Sequence, residues 1–284
     1  MPYPTVHIIG ASGRSGTALF QALRAREQST IPVIRNPAKW TGPGARIADL
    51  DDMDEMAEAV RDATVVVCCA HARHAAAVIA AAPPAATLVF LGSTRKFTRW
   101  PDEHGNGVLA GEAAFTASGR NGIMLHPTMI YGARGENNVQ RLAGVLLRLP
   151  FVPLPNGGAA KVQPIHQDDV TLALVAAIDR VWNGPHSLTI AGPVAVSYAD
   201  FIRAIARAVR MPMPKILSFP AAPLILGAAL TRFIPGLPTV LPDEVRRLLE
   251  DKDFDIAPMR AMLGFDPIGL EEGLARTFRR PHDC

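Results

Sequence analysis

The sequence predicts a doubly wound α/β fold, and three observations carry that prediction. Short β-branched, apolar runs alternate with helical patterns through the first half of the 284 residues. A glycine-rich turn joins the first such run to the first helical segment. After residue 150 the composition shifts toward proline and glycine, and then toward helix. Strands separated by helices give parallel βαβ units, and strands apolar along their whole length belong to a sheet covered on both faces.

The elements follow in order. TVHIIG (5–10) is the first strand, and GTALFQALRARE (16–27) is a helix with Leu19, Ala22 and Leu23 on one side. TIPVIR (30–35) is the second strand. MDEMAEAVRDA (53–63) reads as a helix, TVVVCCA (64–70) as a buried strand and ATLVFLGS (86–93) as another. GIMLHPTMIYG (122–132) follows a helical segment and continues the strand series, while RLPFVPLPNGGAAK (148–161) is a crossing segment. QPIHQDDVTLALVAAI (163–178) gives a strand and then a helix whose start, at Asp168 and Asp169, suits the positive end of the helix dipole. From about residue 190 helices dominate, with seven prolines between 211 and 242. The expected organisation is a sheet-containing core over 1–150, with 163–190 returning to the sheet. Residues 191–284 form a smaller, mostly helical lobe over the sheet's carboxyl edge, where open α/β sheets bind ligands.

Composition narrows the functional classes. An apolar share of 49% against 19% charged excludes a disordered chain. The net charge is +3, five of the 29 basic residues are lysines, and no Lys/Arg-rich run tracks a nucleic-acid backbone. MPYPTVHIIG enters a strand directly and lacks the pattern of a signal peptide. The apolar tract 219–236 is broken by Pro220, Pro223 and Arg232 and is too short to span a bilayer; it reads as a buried or lid-forming helix. Cys68, Cys69 and Cys284 give no disulfide framework, which fits a reducing cytoplasm. CCAHARH (68–74) offers two thiols with His71 and His74, but adjacent thiols lack the spacing of a zinc site, and no metal is expected.

Gly10, Gly13 and Gly16, with Ser12, Arg14 and Ser15 among them, lie between the first strand and the first helix. A tight turn needs a residue without a Cβ, and close approach of phosphate to backbone needs another. The helix N-terminus then presents N–H groups to a pyrophosphate, so the turn predicts dinucleotide binding. An acid usually meets the ribose 2′-hydroxyl of NAD at the end of the second strand. Here Arg35 stands there and Arg14 sits inside the glycine turn, a pairing that favours the 2′-phosphate of NADP(H) over NAD(H). The alternative for Arg35 is an ordinary solvated charge. Asp49 and Leu50, after the next strand, are placed to flank the adenine.

The glycine turn, VIRNP, VFLGST, LHPTMIYG, QPIHQDDV, LTIAGPVAVSYADF and LGFDPIGLEEGL together resemble short-chain dehydrogenase/reductases of the extended or atypical kind. That group includes nucleotide-sugar epimerases and dehydratases, NmrA-like proteins and the complex I accessory subunit. The resemblance runs over nearly the whole length and implies a Ser or Thr at the end of the fifth strand that hydrogen-bonds the reacting oxygen. Ser93 matches it, with Thr94 beside it. It also implies a Tyr-x-x-x-Lys pair, usually with a glutamate four residues after the lysine. If Glu112 is that glutamate, Val108 takes the lysine position and His104 the tyrosine position. The three tyrosines are Tyr3, Tyr131 and Tyr198, none of them in this segment. His104, with an unperturbed pKa near 6.5, can exchange a proton unaided, and Lys96 can supply charge from the adjoining loop; a surface histidine in a Gly-rich loop is the plainer alternative. His126 stands where an arginine usually precedes the proline, and Pro127 shapes the loop beneath the nicotinamide ribose. Tyr131 is expected in the core. Asn137, Asn138, Gln140 and Arg141 fall where extended members contact substrate, and can equally be a cap and a solvated helix face.

Two functions therefore stand open. One is an NAD(P)-dependent oxidoreductase or epimerase/dehydratase-type enzyme acting on a sugar-nucleotide-like or other small carbonyl or hydroxyl substrate. The other is a non-catalytic NADP(H)-binding redox sensor or assembly protein of NmrA-like type, and either can be oligomeric.

Overall fold

Four consecutive buried residues, Val6–Ile9, form β1, and their lack of alternation is what a strand covered on both faces requires. The computed structural model describes residues 4–132, 138–147, 151–231 and 242–279. It continues through α1 (Arg14–Ala25), β2 (Thr30–Ile34), β3 (Arg46–Ile47), α2 (Met53–Val60), β4 (Val65–Cys68), α3 (Ala75–Ala81), β5 (Thr87–Leu91), α4 (Glu103–Ser118) and β6 (Gly122–Pro127). Next come β7 (Ile130–Tyr131), α5 (Asn138–Leu146), β8 (Phe151–Pro155), β9 (Lys161–Val162), β10 (Ile165–His166), α6 (Gln167–Ile178) and β11 (Pro185–Ile190). The last part holds β12 (Val196–Ser197), α7 (Tyr198–Ala208), β13 (Lys215–Phe219), α8 (Ala221–Thr231), α9 (Pro242–Arg247), α10 (Ala257–Leu263) and α11 (Leu270–Phe278).

The main sheet has the order β11-β6-β5-β4-β1-β2-β3, and every neighbouring pair is parallel. One face buries Leu19 and Leu23 of α1, Val170 and Leu174 of α6, and Met259 and Leu263 of α10. The other buries Met56 and Val60 of α2, Val78 of α3, and Val108 and Phe115 of α4, the last edge-on to Phe90. A third cluster brings Tyr131 together with Phe201 and Ile202 of α7 and Leu274 of α11. No helix among the described residues is long and apolar enough to cross a membrane.

Two local readings are corrected. GIMLHPTMIYG is not one strand: β6 stops at Pro127, and β7 pairs with β10 outside the main sheet. Thr128 donates its N–H to the Ile190 carbonyl at 3.0 Å, at the end of the β6–β11 ladder. The crossing segment contains β8, which runs parallel to β13 as a separate ribbon. The glycine-rich stretch that includes His104 is the helical segment expected before residue 122, α4, and not the loop of the plainer alternative for His104. Asp102 caps it by accepting from the Gly105 N–H at 2.8 Å, and Gly119 closes it in the left-handed conformation, φ +64. Glycine costs a helix interior roughly 1 kcal/mol relative to alanine, so close packing must account for its use. A Cβ on Gly107 would lie 2.9 Å from the His71 ring, and one on Gly111 would run into the Ala72 backbone carbonyl.

Candidate functional site

At the end of β1 the chain turns at Gly10, φ +77, whose N–H donates to the Val33 carbonyl at 3.0 Å. Gly13 is the N-cap of α1 and provides no side-chain acceptor, and no acidic residue follows in the first turn. The first-turn N–H groups are thus left to a ligand, with the positive helix end behind them. A Cβ on Gly16 would collide with the Gly10 carbonyl oxygen and lie 2.8 Å from Ala11 Cα, so turn and helix close on each other only because glycine stands there. Ser12 is half-buried in the turn. The Ser15 hydroxyl donates to Gln167 Oε1 at 3.1 Å, which ties α1 to α6.

Arg14 opens α1 and Arg35 follows β2 directly; both are exposed. Neither has an ion-pair partner among the described residues. Asp49 and Leu50 follow β3 at the same sheet edge. Asp49 Oδ1 accepts from the Asp51 N–H at 3.2 Å, and Leu50 packs against the core.

At the end of β5, Ser93 caps the short turn Thr94–Phe97, its Oγ accepting from the Arg95 N–H at 3.1 Å. The Ser93 N–H donates to His126 Nδ1 at 3.3 Å. A backbone N–H only donates, so Nδ1 is the unprotonated nitrogen and Nε2 carries the hydrogen toward Ser187 Oγ, 3.1 Å away. Burial pushes His126 down to about 4, helped by the Lys96 charge and opposed by Glu112, so the ring is neutral. Ser187 in turn donates to Glu112, which also receives Lys96 Nζ at 2.7 and 2.6 Å. Burial alone would raise Glu112, but these donors and the Lys96 charge hold its carboxyl below the usual range. The departure at His126 therefore links Ser93 to an ion pair beneath the site. Lys96 is correspondingly not the charge beside His104; its ammonium is tied to Glu112 and outside the cavity lining.

A cavity of about 440 Å³ opens at this edge, with Ser93, Thr94, His104, Thr128, Tyr198 and Lys252 on its walls. Residues 247–254 make the far wall. Thr98 Oγ1 and the Arg99 N–H donate to Glu250, the Lys161 N–H donates to Asp251, and Gln163 exchanges two hydrogen bonds with Phe254. Arg95 and Arg247 both bind Asp102. Among the described residues Lys252 Nζ donates to the Arg247 carbonyl alone, at 3.1 Å, and burial holds its ammonium below the usual lysine range. Opposite it, His104 Nδ1 lies 3.1 Å from His71 Nε2, the rings edge to face with centroids 4.3 Å apart.

The structure thus brings Ser93, Thr94 and His104 to one cavity, and places Pro127 at the end of β6, its carbonyl accepting from Thr94. Arg141 is on the exposed face of α5, outside that lining. Asn137 lies outside the described residues, and Asn138 begins α5 with its side chain likewise outside them. Tyr131 is buried in the third hydrophobic cluster, with Phe201 and Leu274. Burial pushes the Cys68 thiol up to about 12, and Cys69 up as well, which keeps both protonated and poor metal ligands. Sequence reasoning missed Tyr198, Arg247 and Lys252. Lys252 sits in DKDFD, where neither periodicity nor motif distinguishes it from a solvated charge.

Residues 10–105 match a family model described as NAD(P)H-binding. Among solved structures, the Escherichia coli NADPH-dependent quinone oxidoreductase QOR2, complexed with NADPH, is similar with a TM-score of 0.75 and 19% identity over 97% of this chain and 100% of that one. A nucleoside-diphosphate-sugar epimerase of Staphylococcus aureus gives 0.72 and 16%, covering 95% and 99%. The UDP-glucose 4-epimerase of Thermotoga maritima, with UDP-glucose, gives 0.71 and 14%, covering 96% and 97%. At these identities the likeness is one of fold. A search of curated protein sequences gives no match. Residues 10–105 are therefore similar to an NAD(P)H-binding family, and the chain as a whole shares the fold of these solved structures.

Proposed function

We propose that this protein is an NADP(H)-dependent enzyme, an oxidoreductase or an epimerase/dehydratase, acting on a small carbonyl or hydroxyl compound such as a sugar nucleotide. The observation that carries this reading is the meeting of Ser93 and His104 in one cavity, at the carboxyl edge of the sheet that also bears the glycine turn. The neighbours support it, since one was complexed with NADPH and another with a sugar nucleotide.

When bound, the nicotinamide supplies hydride chemistry. The chain supplies placement. The first-turn N–H groups of α1, from Arg14 to Gly16, receive the pyrophosphate, Asp49 and Leu50 flank the adenine, and Pro127 shapes the backbone below the nicotinamide ribose. Ser93 Oγ and the His104 ring address the reacting oxygen. The cavity's basic side chains, Arg99 and Lys252 among them, favour an anionic substrate.

Titration with NADPH and NADH, followed by a panel of nucleotide sugars and carbonyl compounds read by absorbance at ~340 nm and by NMR for redox-neutral products, tests this reading. Tight NADPH binding with turnover supports it. Binding with every compound silent favours the sensor reading, which rests on a specific observation: α4 contains no tyrosine or lysine, and Val108 is buried against the core. No binding of either cofactor sinks both.

Arg14 and Arg35 give a sharper test. Arg14→Ser with Arg35→Asp is expected to weaken NADPH binding by about 100-fold or more, because each of the two charge-assisted bonds to a phosphate contributes about 1.5–3 kcal/mol. NADH affinity should hold. An unchanged NADPH dissociation constant would remove both arginines from the 2′-phosphate.

A further inference from the structure

We infer that His71 locks His104 as an Nε2–H donor at the cavity, so that His104 grips an accepting oxygen of the substrate and does not act as a base. The last clause rests on the reading proposed above; the lock itself does not.

One chain of hydrogen bonds fixes both tautomers. The Arg73 N–H lies 3.1 Å from His71 Nδ1 and can only donate, so Nδ1 accepts. The hydrogen of a neutral His71 must then sit on Nε2. That N–H faces His104 Nδ1 at 3.1 Å, which accepts in turn. The hydrogen of a neutral His104 is left on Nε2. No described residue hydrogen-bonds His104 Nε2, and the ring lines the cavity beside Ser93.

The charged neighbours keep both rings neutral. Burial lowers His71, reinforced by His104, Arg73 and His74 and opposed by Glu103. Burial lowers His104 as well, with Arg95 and Arg73 adding to it and Asp102 opposing. Protonating His104 would place a hydrogen on Nδ1, against the His71 N–H, and break the chain. In its locked form Nε2 has no lone pair with which to take a proton from a substrate hydroxyl.

The helix is shaped for this contact. A Cβ on Gly107 would lie 2.9 Å from His71 Cε1 and 3.2 Å from Arg73 Cβ, so the ring reaches His104 only over a glycine. His71 comes from the turn after β4 and His104 from the first turn of α4, so the pair also fixes the two elements against each other.

Long-range ¹H–¹⁵N NMR of the imidazole nitrogens in the full-length protein reads the tautomers directly. Both rings are expected as Nε2–H at neutral pH. In His71→Phe, which keeps an edge-to-face ring but donates nothing, His104 should become a tautomer mixture and its pKa should rise. His71→Gln, whose amide can donate from a similar position, should restore the Nε2–H form. With a turned-over substrate, kcat should fall about tenfold in His71→Phe with little change in KM, and recover in His71→Gln. Nδ1–H on wild-type His104, or His104 signals unchanged in His71→Phe, would overturn the lock. The wild-type spectrum needs no variant to fold. It decides the lock even if no substrate turns over, an outcome that would count against the enzymatic reading alone.

Discussion

Replacing Glu112 with leucine is expected to lower the free energy of unfolding by about 3–5 kcal/mol. The carboxylate receives Lys96 Nζ on both oxygens and Ser187 Oγ on one, with His126 Nε2 3.3 Å away. The Lys96 side chain is only 9% exposed, so leucine would leave an ammonium out of water with no counter-charge. Urea denaturation would measure the loss. The double variant Lys96→Met, Glu112→Leu should recover most of it, because removing both members of a buried pair is far less costly than removing one. A single-variant loss below about 1 kcal/mol would show that the pair behaves as a surface one.

The same network sets the acid limb of stability. The folded pKa of His126, about 4, lies below its unfolded value near 6.5. The folded state then binds fewer protons in that interval, so stability is whole above about pH 6.5 and falls as pH drops toward 4, by roughly 3 kcal/mol. Glu112 is also held below its usual range; its contribution is present above about pH 4.5 and is lost as pH falls further. Thermal melts should therefore decline before the carboxylate range is reached. His126→Asn, which keeps an acceptor for the Ser93 N–H but does not titrate, should remove that early decline.

Gly16→Val is expected to abolish cofactor binding, with affinity for NADPH down by more than about 100-fold. The new Cβ meets the Gly10 carbonyl and Ala11 Cα, both backbone, so no flexible side chain can yield. The first turn of α1 must move off the glycine turn, taking its N–H groups with it, at about 1–3 kcal/mol of overpacking strain. Gly13→Ala is the control. Its Cβ would lie 3.2 Å from the Gly10 carbonyl, a contact relieved by a few tenths of an ångström, and binding should fall much less. Equal losses in the two variants would mean that the turn matters only for stability.

Strands β1, β4, β5 and β6 are legible in the sequence because continuous apolar runs have few other places to go. The glycine turn is legible because its three glycines stand where strand meets helix. Helix α4 is legible as the helical segment before residue 122, but the reason for Gly105, Gly107 and Gly111 within it is not, since it lies in residues 71–73 and 95, which reach them only after folding. Ser93 is singled out by the family resemblance, which implies a Ser or Thr at that strand end. The Lys96–Glu112 pair, 16 residues apart, and the His71–His104 pair, 33 apart, leave no periodic trace. Lys252 reaches the cavity through a segment whose anchors, Thr98, Lys161 and Gln163, lie about 90 to 150 residues earlier in the chain.

That segment also sets a timetable for synthesis. All seven strands of the main sheet have been translated before residue 247 appears, so the nascent chain has its glycine turn while the cavity still lacks a wall. The stretch that then emerges does two things at once. Residues 247–254 close the cavity, and Ile256, Met259 and Leu263 immediately after them complete the core on the α1 and α6 side of the sheet. A chain that stops short of this point lacks part of its core as well as its wall. Truncated products are therefore expected to be unstable and open to proteolysis, not stable proteins that sequester nucleotide.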